Sequence, residues 1–79
     1  MAPHVLITGG SGFVGGNLCV GLAGRHPDWS ITALDNLARR GSELNLPRLR
    51  RAGVRFRHGD VRCREDVLGL DRVDAVVEC

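Results

Sequence analysis

Neither lysine nor tyrosine occurs anywhere in the 79 residues, so all eleven basic side chains are arginine. No phenol and no ammonium side chain is therefore available to any chemistry this stretch performs. Hydroxyls are scarce too, with Thr8, Ser11, Ser30, Thr32 and Ser42 forming the full set. Cysteine is sparse and odd in number: Cys19, Cys63 and Cys79 contain no C-x-x-C pair, which argues against a disulfide framework and a zinc site and fits a reducing, cytoplasmic compartment. His4, His26 and His58 are scattered without H-E-x-x-H or any other ligand spacing, so no metal site is expected. Long apolar runs are missing as well. Met1-Ala2-Pro3-His4 has no basic start and leads into only the short stretch Val5 to Gly9, which reads as neither a secretory leader nor a membrane span.

Charge of one sign is also lacking. Eleven arginines against nine acids leave a net charge of +2, too small to make nucleic acid or an anionic membrane the main partner. Seven of the arginines fall between Arg48 and Arg64, but Glu65, Asp66, Asp71 and Asp74 follow at once and no aromatic residues interleave them. That pattern is a solvated face rather than a base-stacking platform. With 43% hydrophobic and 25% charged residues the composition is globular. A chain of this size makes one small domain and buries only about 60% of its unfolded surface.

What is present has a clear order. His4-Val5-Leu6-Ile7-Thr8 is a short apolar run ending in Gly9-Gly10-Ser11-Gly12, as a buried strand entering a tight turn would be. From Phe13 the apolar residues Val14, Leu18 and Leu22 recur every four positions, with Phe13 and Cys19 beside them, and Gly24, Arg25 and Pro27 signal the stop. Ile31 to Asp35 reads as a second strand and Asn36 to Ser42 as a polar loop. A second helix is expected with Asn45 as its cap, Pro47 in its first turn, Leu49 to Ala52 within it and Gly53 ending it. Val54 to His58 alternates as an edge strand would; Gly59-Asp60 turns; Cys63 to Leu70 reads as a short helix; Asp74 to Cys79 reads as a fourth strand.

Strands and helices alternating over short loops imply a doubly wound α/β fold, a Rossmann-like parallel sheet with strand order 3-2-1-4. The fourth strand is the last thing in the sequence, with nothing after it to flank or cover it, so the chain reads as the first four strands of a longer domain.

The chemistry lies in the glycine cluster. Thr8-Gly9-Gly10-Ser11-Gly12-Phe13-Val14-Gly15 fits G-x-G-x-x-G through Gly10, Gly12 and Gly15, and T-G-x-x-G-x-x-G through Gly9, Gly12 and Gly15. Glycine in such a turn lets the backbone approach a pyrophosphate and lets helix pack on strand, while free N–H groups at the helix start face the phosphates. The triplet follows a strand, opens a helix, and is followed by Asp35 at the end of the next strand, twenty residues after Gly15 (35 − 15). That is the spacing of a ribose-binding carboxylate, and together these features point to dinucleotide binding. A carboxylate there repels a 2′-phosphate, so NAD is favoured over NADP. Arg39 and Arg40 fit either a solvated loop or an arginine beside the adenine or a 2′-phosphate. Asp60 suits either an adenine contact or a cap for the following helix. Ser11 lacks the G-x-S-x-G elbow of a nucleophile and is expected to contact phosphate.

The residues T-G-G-S-G-F-V-G, A-L-D-N-L and H-G-D-V-R resemble the N-terminal part of the extended short-chain dehydrogenase/reductases, the NAD-dependent epimerase/dehydratase family. The stretch from Asp35 to Ser42 followed by Asn45-Leu46 looks most like nucleotide-sugar 2-epimerases of the CDP-paratose (CDP-tyvelose) type. The resemblance implies that backbone N–H groups at Gly12, Phe13 and Val14 hold the pyrophosphate, Asp35 and Asn36 the ribose, and Asp60 and Val61 the adenine. Glu78 departs from the histidine that many members carry at its position. The resemblance further implies a nucleotide-sugar substrate, a homodimeric parent and a later Tyr-x-x-x-Lys dyad that moves a proton while hydride passes to NAD. A chain without tyrosine or lysine cannot supply that dyad, so no catalytic residue is expected here. Two readings follow: the cofactor-binding front of a longer nucleotide-sugar enzyme, which is favoured, or a stand-alone, catalytically silent dinucleotide-binding module or degenerate remnant.

Overall fold

A computed structural model describes residues 2–38, 41–60 and 72–79. The element order is β1 (His4–Thr8), α1 (Phe13–Arg25), β2 (Ser30–Asp35), a 3-10 turn (Ser42–Asn45), α2 (Leu46–Arg51), β3 (Arg55–His58) and β4 (Ala75–Glu78). The expected helix from Cys63 to Leu70 lies outside the described residues. All strand pairs are parallel and the sheet order is β3-β2-β1-β4, as expected.

The apolar run of β1 becomes a central strand because both of its faces have something to bury. Register places Phe56, Ala33, Ile7 and Val77 side by side across the sheet. Val5, Ile7, Ile31 and Ala33 form one core face with Cys19, Leu49 and Val54, while Leu6 and Leu34 on the opposite face are buried as well. Ile7 and Leu34 are almost wholly enclosed, each contributing about 1.5 to 3 kcal/mol by leaving water. At the edges burial falls away: Arg55 and His58 of β3 are exposed, and Val76 of β4 is 57% exposed. The alternation expected of β3 is weak, since Phe56 and Arg57 are both half-buried.

His4 ties the entry ends of three strands together. Its Nδ1 lies 2.8 Å from the Arg72 carbonyl, which only accepts, so Nδ1 donates there, and its Nε2 lies 2.7 Å from the Thr32 hydroxyl. The His4 and Asp74 backbones close the same corner, with the Asp74 carboxylate accepting the His4 N–H at 2.8 Å. Its role there is structural.

The first turn of α1 faces away from the core, and the expected cap of α2 is corrected. Phe13 and Val14 open the apolar repeat of α1 but are 81% and 66% exposed; the buried residues of that helix are Gly15, Gly16 and Cys19, with Leu18, Leu22 and Ala23 packed against the core. Asn45 does not cap α2. Its backbone is already helical (φ −83°, ψ −11°), it makes no side-chain cap bond, and the 3-10 turn beginning at Ser42 runs directly into the helix. Its amide is engaged elsewhere, as described below.

Candidate dinucleotide site

The C-terminal ends of β1 and β2 deliver Gly9 and Asp35 to the same edge of the sheet, where a parallel α/β sheet opens a crevice. Gly9 has φ +67°, a left-handed conformation that turns the chain sharply out of β1. A Cβ at Gly15 would collide with the Gly9 carbonyl oxygen, so only glycine lets α1 start this close to the turn.

Every backbone N–H of the turn itself is used to hold its shape. Those of Gly9 and Gly10 donate to the Leu34 carbonyl at 2.8 and 3.3 Å, that of Ser11 to Asp35 Oδ2 at 3.1 Å, and that of Gly12 to the Gly9 carbonyl at 3.1 Å. The first N–H returned to the helix ladder is that of Gly16, which donates to the Gly12 carbonyl. Among the described residues nothing accepts from the N–H groups of Phe13, Val14 and Gly15. These three donors sit at the positive end of a 13-residue helix. The free donors are thus shifted one residue from the Gly12, Phe13 and Val14 set that the resemblance implies, because Gly12 spends its own N–H inside the turn.

Asp35 works twice. Oδ2 accepts the Ser11 N–H and Oδ1 the Leu37 N–H at 2.9 Å, so one carboxylate joins the glycine turn to the loop after β2. Each oxygen keeps a second lone-pair direction. Leu37 lies at φ +57°, a conformation costly for a branched side chain, and the Asp35 bond helps to hold it there. Asn36 accepts the Ala38 N–H at 3.0 Å and donates to Asp60 Oδ2 at 3.2 Å, while the Gly59 N–H donates to the Asp35 carbonyl. Asp60 is thereby joined to the same loop.

Two cavities open on this network. One, of about 460 Å³, is lined by Gly9, Gly12, Phe13, Val14 and Gly15 on one side and by Asp35, Asn36, Ala38 and Ser42 on the other, with Cys79 also on its wall. A second, of about 180 Å³, shares Gly9, Asp35, Asn36 and Cys79 and adds Gly59, Asp60 and Glu78. The structure therefore brings Gly9, Gly12, Phe13, Val14, Gly15, Asp35, Asn36 and Asp60 to one crevice. Ser11 is placed differently: it is 0% exposed, lines neither cavity, and its hydroxyl has no hydrogen-bond partner among the described residues. Val61, Arg39 and Arg40 lie outside the described residues.

Sequence reasoning missed Ala38, Ser42 and Cys79 as lining residues; none carries a motif. Beneath the turn, burial chiefly, and Cys79 secondarily, push the Cys19 thiol up from an ordinary 9.0 to about 12, against a lowering backbone hydrogen bond. It stays a neutral packing group, its Sγ 3.7 Å from the Gly10 carbonyl. Among the described residues no three His, Cys, Asp or Glu side chains converge on a possible metal position, and no helix is long and apolar enough to cross a membrane.

Comparison with known proteins agrees with this geometry. A model of the NAD dependent epimerase/dehydratase family matches residues 5–79. CDP-paratose 2-epimerase of Salmonella typhi is 42% identical over 67 residues, covering 84% of this chain and 19% of that protein. The crystal structure of Helicobacter pylori ADP-L-glycero-D-manno-heptose-6-epimerase superposes with a TM-score of 0.81 at 26% identity, over 98% of this chain and 26% of that one. The chain thus spans about a fifth to a quarter of the length of these relatives.

Proposed function

The chain belongs to the NAD-dependent epimerase/dehydratase family, and on that footing we propose that it is the NAD-holding part of a longer nucleotide-sugar epimerase or dehydratase. The observation that carries the reading is the set of N–H groups at Phe13, Val14 and Gly15, which find no acceptor among the described residues and open onto the crevice that also holds the Asp35 carboxylate. Such a set fits a dinucleotide: donors and a helix dipole for the pyrophosphate, and acceptor lone pairs for ribose hydroxyls. Asn36 supports the ribose side and Asp60 the adenine side; the adenine role that the resemblance implies for Val61 falls outside the described residues. Ser11 serves through its backbone, linking Asp35 below to the turn.

A bound nicotinamide dinucleotide supplies a reversible hydride acceptor for a sugar carbinol. This chain's residues bind and orient it, and their carboxylate at Asp35 selects NAD over NADP. Proton transfer falls to residues outside this sequence, since it offers neither tyrosine nor lysine. The CDP-paratose 2-epimerase likeness favours a nucleotide-sugar substrate. The paucity of cysteine supports a cytoplasmic home, and the family likeness a homodimeric parent.

Titration of the chain with NAD, followed by backbone NMR, tests the binding reading. The amides of Phe13, Val14 and Gly15 are expected to shift most, with Leu37 following through Asp35; absence of any shift at these amides at saturating NAD refutes it. The reading frame past Cys79 tests the parent: it is expected to encode a Tyr-x-x-x-Lys segment, and an immediate stop codon overturns the longer enzyme.

A further inference from the structure

We propose that Asn45 is the positioning residue of the phosphate-binding turn: its side-chain amide, seated against Gly16, holds the Ser11–Gly12 peptide, whose N–H closes the turn on Gly9, and flanks the Gly12–Phe13 peptide, whose N–H is the first of the α1 donors. Asn45 Nδ2 donates to the Ser11 carbonyl at 2.6 Å and lies 3.5 Å from the Gly12 carbonyl. Both neighbours are acceptors, so the NH₂ end of the amide is the end that faces them. The inference rests on the dinucleotide reading of the turn and adds to it a residue that sits on another element, 33 positions from Gly12.

Peptide planarity passes each contact from an oxygen to the next N–H. In a trans peptide the C=O of one residue and the N–H of the next point in opposite directions, so holding the oxygen fixes the hydrogen. The Gly12 carbonyl belongs to the same plane as the Phe13 N–H; it accepts from Gly16 at 2.8 Å and has the Asn45 amide on its flank. The Phe13 carbonyl belongs to the plane of the Val14 N–H, and it accepts Asn17 Nδ2 at 2.8 Å. Asn17 is in turn held from α2, where Arg48 Nη1 donates to its Oδ1 at 2.7 Å. Two side chains of the second helical segment therefore reach the first turn of α1.

Gly16 explains how the amide gets there. It lies outside the G-x-G-x-x-G spacing and costs helix stability, yet a Cβ built on it would already lie 3.4 Å from Asn45 Nδ2. A larger side chain would push the amide off the turn. Gly15 clears the Gly9 carbonyl, while at Gly16 a bare Cβ would just touch the Asn45 amide and only a larger side chain would displace it.

The test compares ligands that do and do not carry phosphate. Asn45→Asp keeps the size of the side chain but sets an acceptor against two carbonyls; Asn45→Ala removes it; Gly16→Val leaves Asn45 in place and displaces its amide. Affinities for NAD, ADP and adenosine are read by NMR titration, and the folded fraction by circular dichroism. Each variant is expected to weaken NAD and ADP by roughly tenfold while changing adenosine by less than about twofold, as the loss of aimed donors requires. If all three ligands weaken alike, in step with lost folding, Asn45 is merely structural and the inference fails. If NAD and ADP are held as by the unaltered chain, it fails as well, with the dinucleotide reading intact. Absence of NAD and ADP binding by the unaltered chain overturns the dinucleotide reading, and this inference with it. Should Asn45→Asp not fold, Asn45→Ala and Gly16→Val carry the same comparison.

Discussion

Replacing Asp35 with alanine separates its two jobs and puts a size on each. In the ligand-free chain the change strips the acceptor from the Ser11 N–H at 3.1 Å and the Leu37 N–H at 2.9 Å. Bonds to a charged acceptor contribute about 1.5 to 3 kcal/mol when enclosed; Asp35 is half-buried, so about 2 to 3 kcal/mol for the pair is the expected loss. A 79-residue domain has on the order of 4 to 12 kcal/mol in total, so the variant folds with a lowered midpoint. For ligands the term that matters is repulsion. Two unit charges 4 Å apart at an effective dielectric near 20 differ by about 4 kcal/mol. Solvent and salt over a half-exposed carboxylate reduce this to roughly 1 to 2 kcal/mol, a preference of about 5- to 30-fold for NAD over NADP. Isothermal calorimetry with both cofactors, on protein whose folding is verified by circular dichroism, reads the ratio directly. Asp35→Ala is expected to lower NAD affinity and bring the NADP-to-NAD ratio close to one. A folded variant that retains the original ratio refutes the assignment of Asp35 as the selecting carboxylate.

Gly15→Ala is expected to abolish NAD-induced shifts and to destabilise the chain by about 2 kcal/mol or more, because the new Cβ meets the Gly9 carbonyl, which is backbone and cannot swing away; denaturant unfolding with and without NAD checks both. Ser11→Ala removes a wholly buried hydroxyl without a partner, so it should raise stability by up to about 1 kcal/mol, a shift of roughly 4 to 8 °C, with NAD affinity within about twofold; a clear loss of affinity would show that the hydroxyl reaches the phosphates after all. The Cys19 thiol has its folded pKa raised above 9.0, so its contribution to stability is complete below pH 9 and is lost as pH climbs toward 12, by at most about 1.4 kcal/mol per pH unit. Under native conditions at pH 8 it should resist alkylation while exposed Cys79 reacts, as peptide mass mapping would reveal.

Much of the fold could be read from the chain because period and punctuation agree with burial. The run His4–Thr8, the stops after Arg25 and the Gly53 turn recur at or within a residue of where they were expected. What the chain leaves unread clusters around the crevice. Phe13 and Val14 complete an apolar repeat, yet the helix begins at the cleft, so its first turn has no core to face. Asn45 precedes an apolar run and a proline, the usual setting of an N-cap, and no local pattern distinguishes an amide that caps its own helix from one that reaches another. The site followed the same division: glycine spacing and Asp35 were visible because they stand at fixed offsets on consecutive elements, whereas Ser42, Ala38 and Cys79 enter the crevice only through the path of the folded loops.

The glycine turn and the helix after it divide the backbone donors between them. Were the turn N–H groups the ligand donors, each would stand unbonded in the free chain, and the turn would have little to hold its shape. Instead Gly9, Gly10, Ser11 and Gly12 all donate within the protein, and the carboxylate of Asp35 is one of their acceptors. The turn is thus prefolded by the same residue that is proposed to select the ribose. The donors left over belong to α1, whose direction is set by Gly15 against Gly9 and by the Asn45 amide against Ser11. The bonds that shape the turn and the donors proposed for the phosphates come from adjoining but separate stretches, so a change at Ser11 or Asn45, neither of them a glycine, is expected to alter phosphate binding or leave it untouched according to which of the two stretches it disturbs.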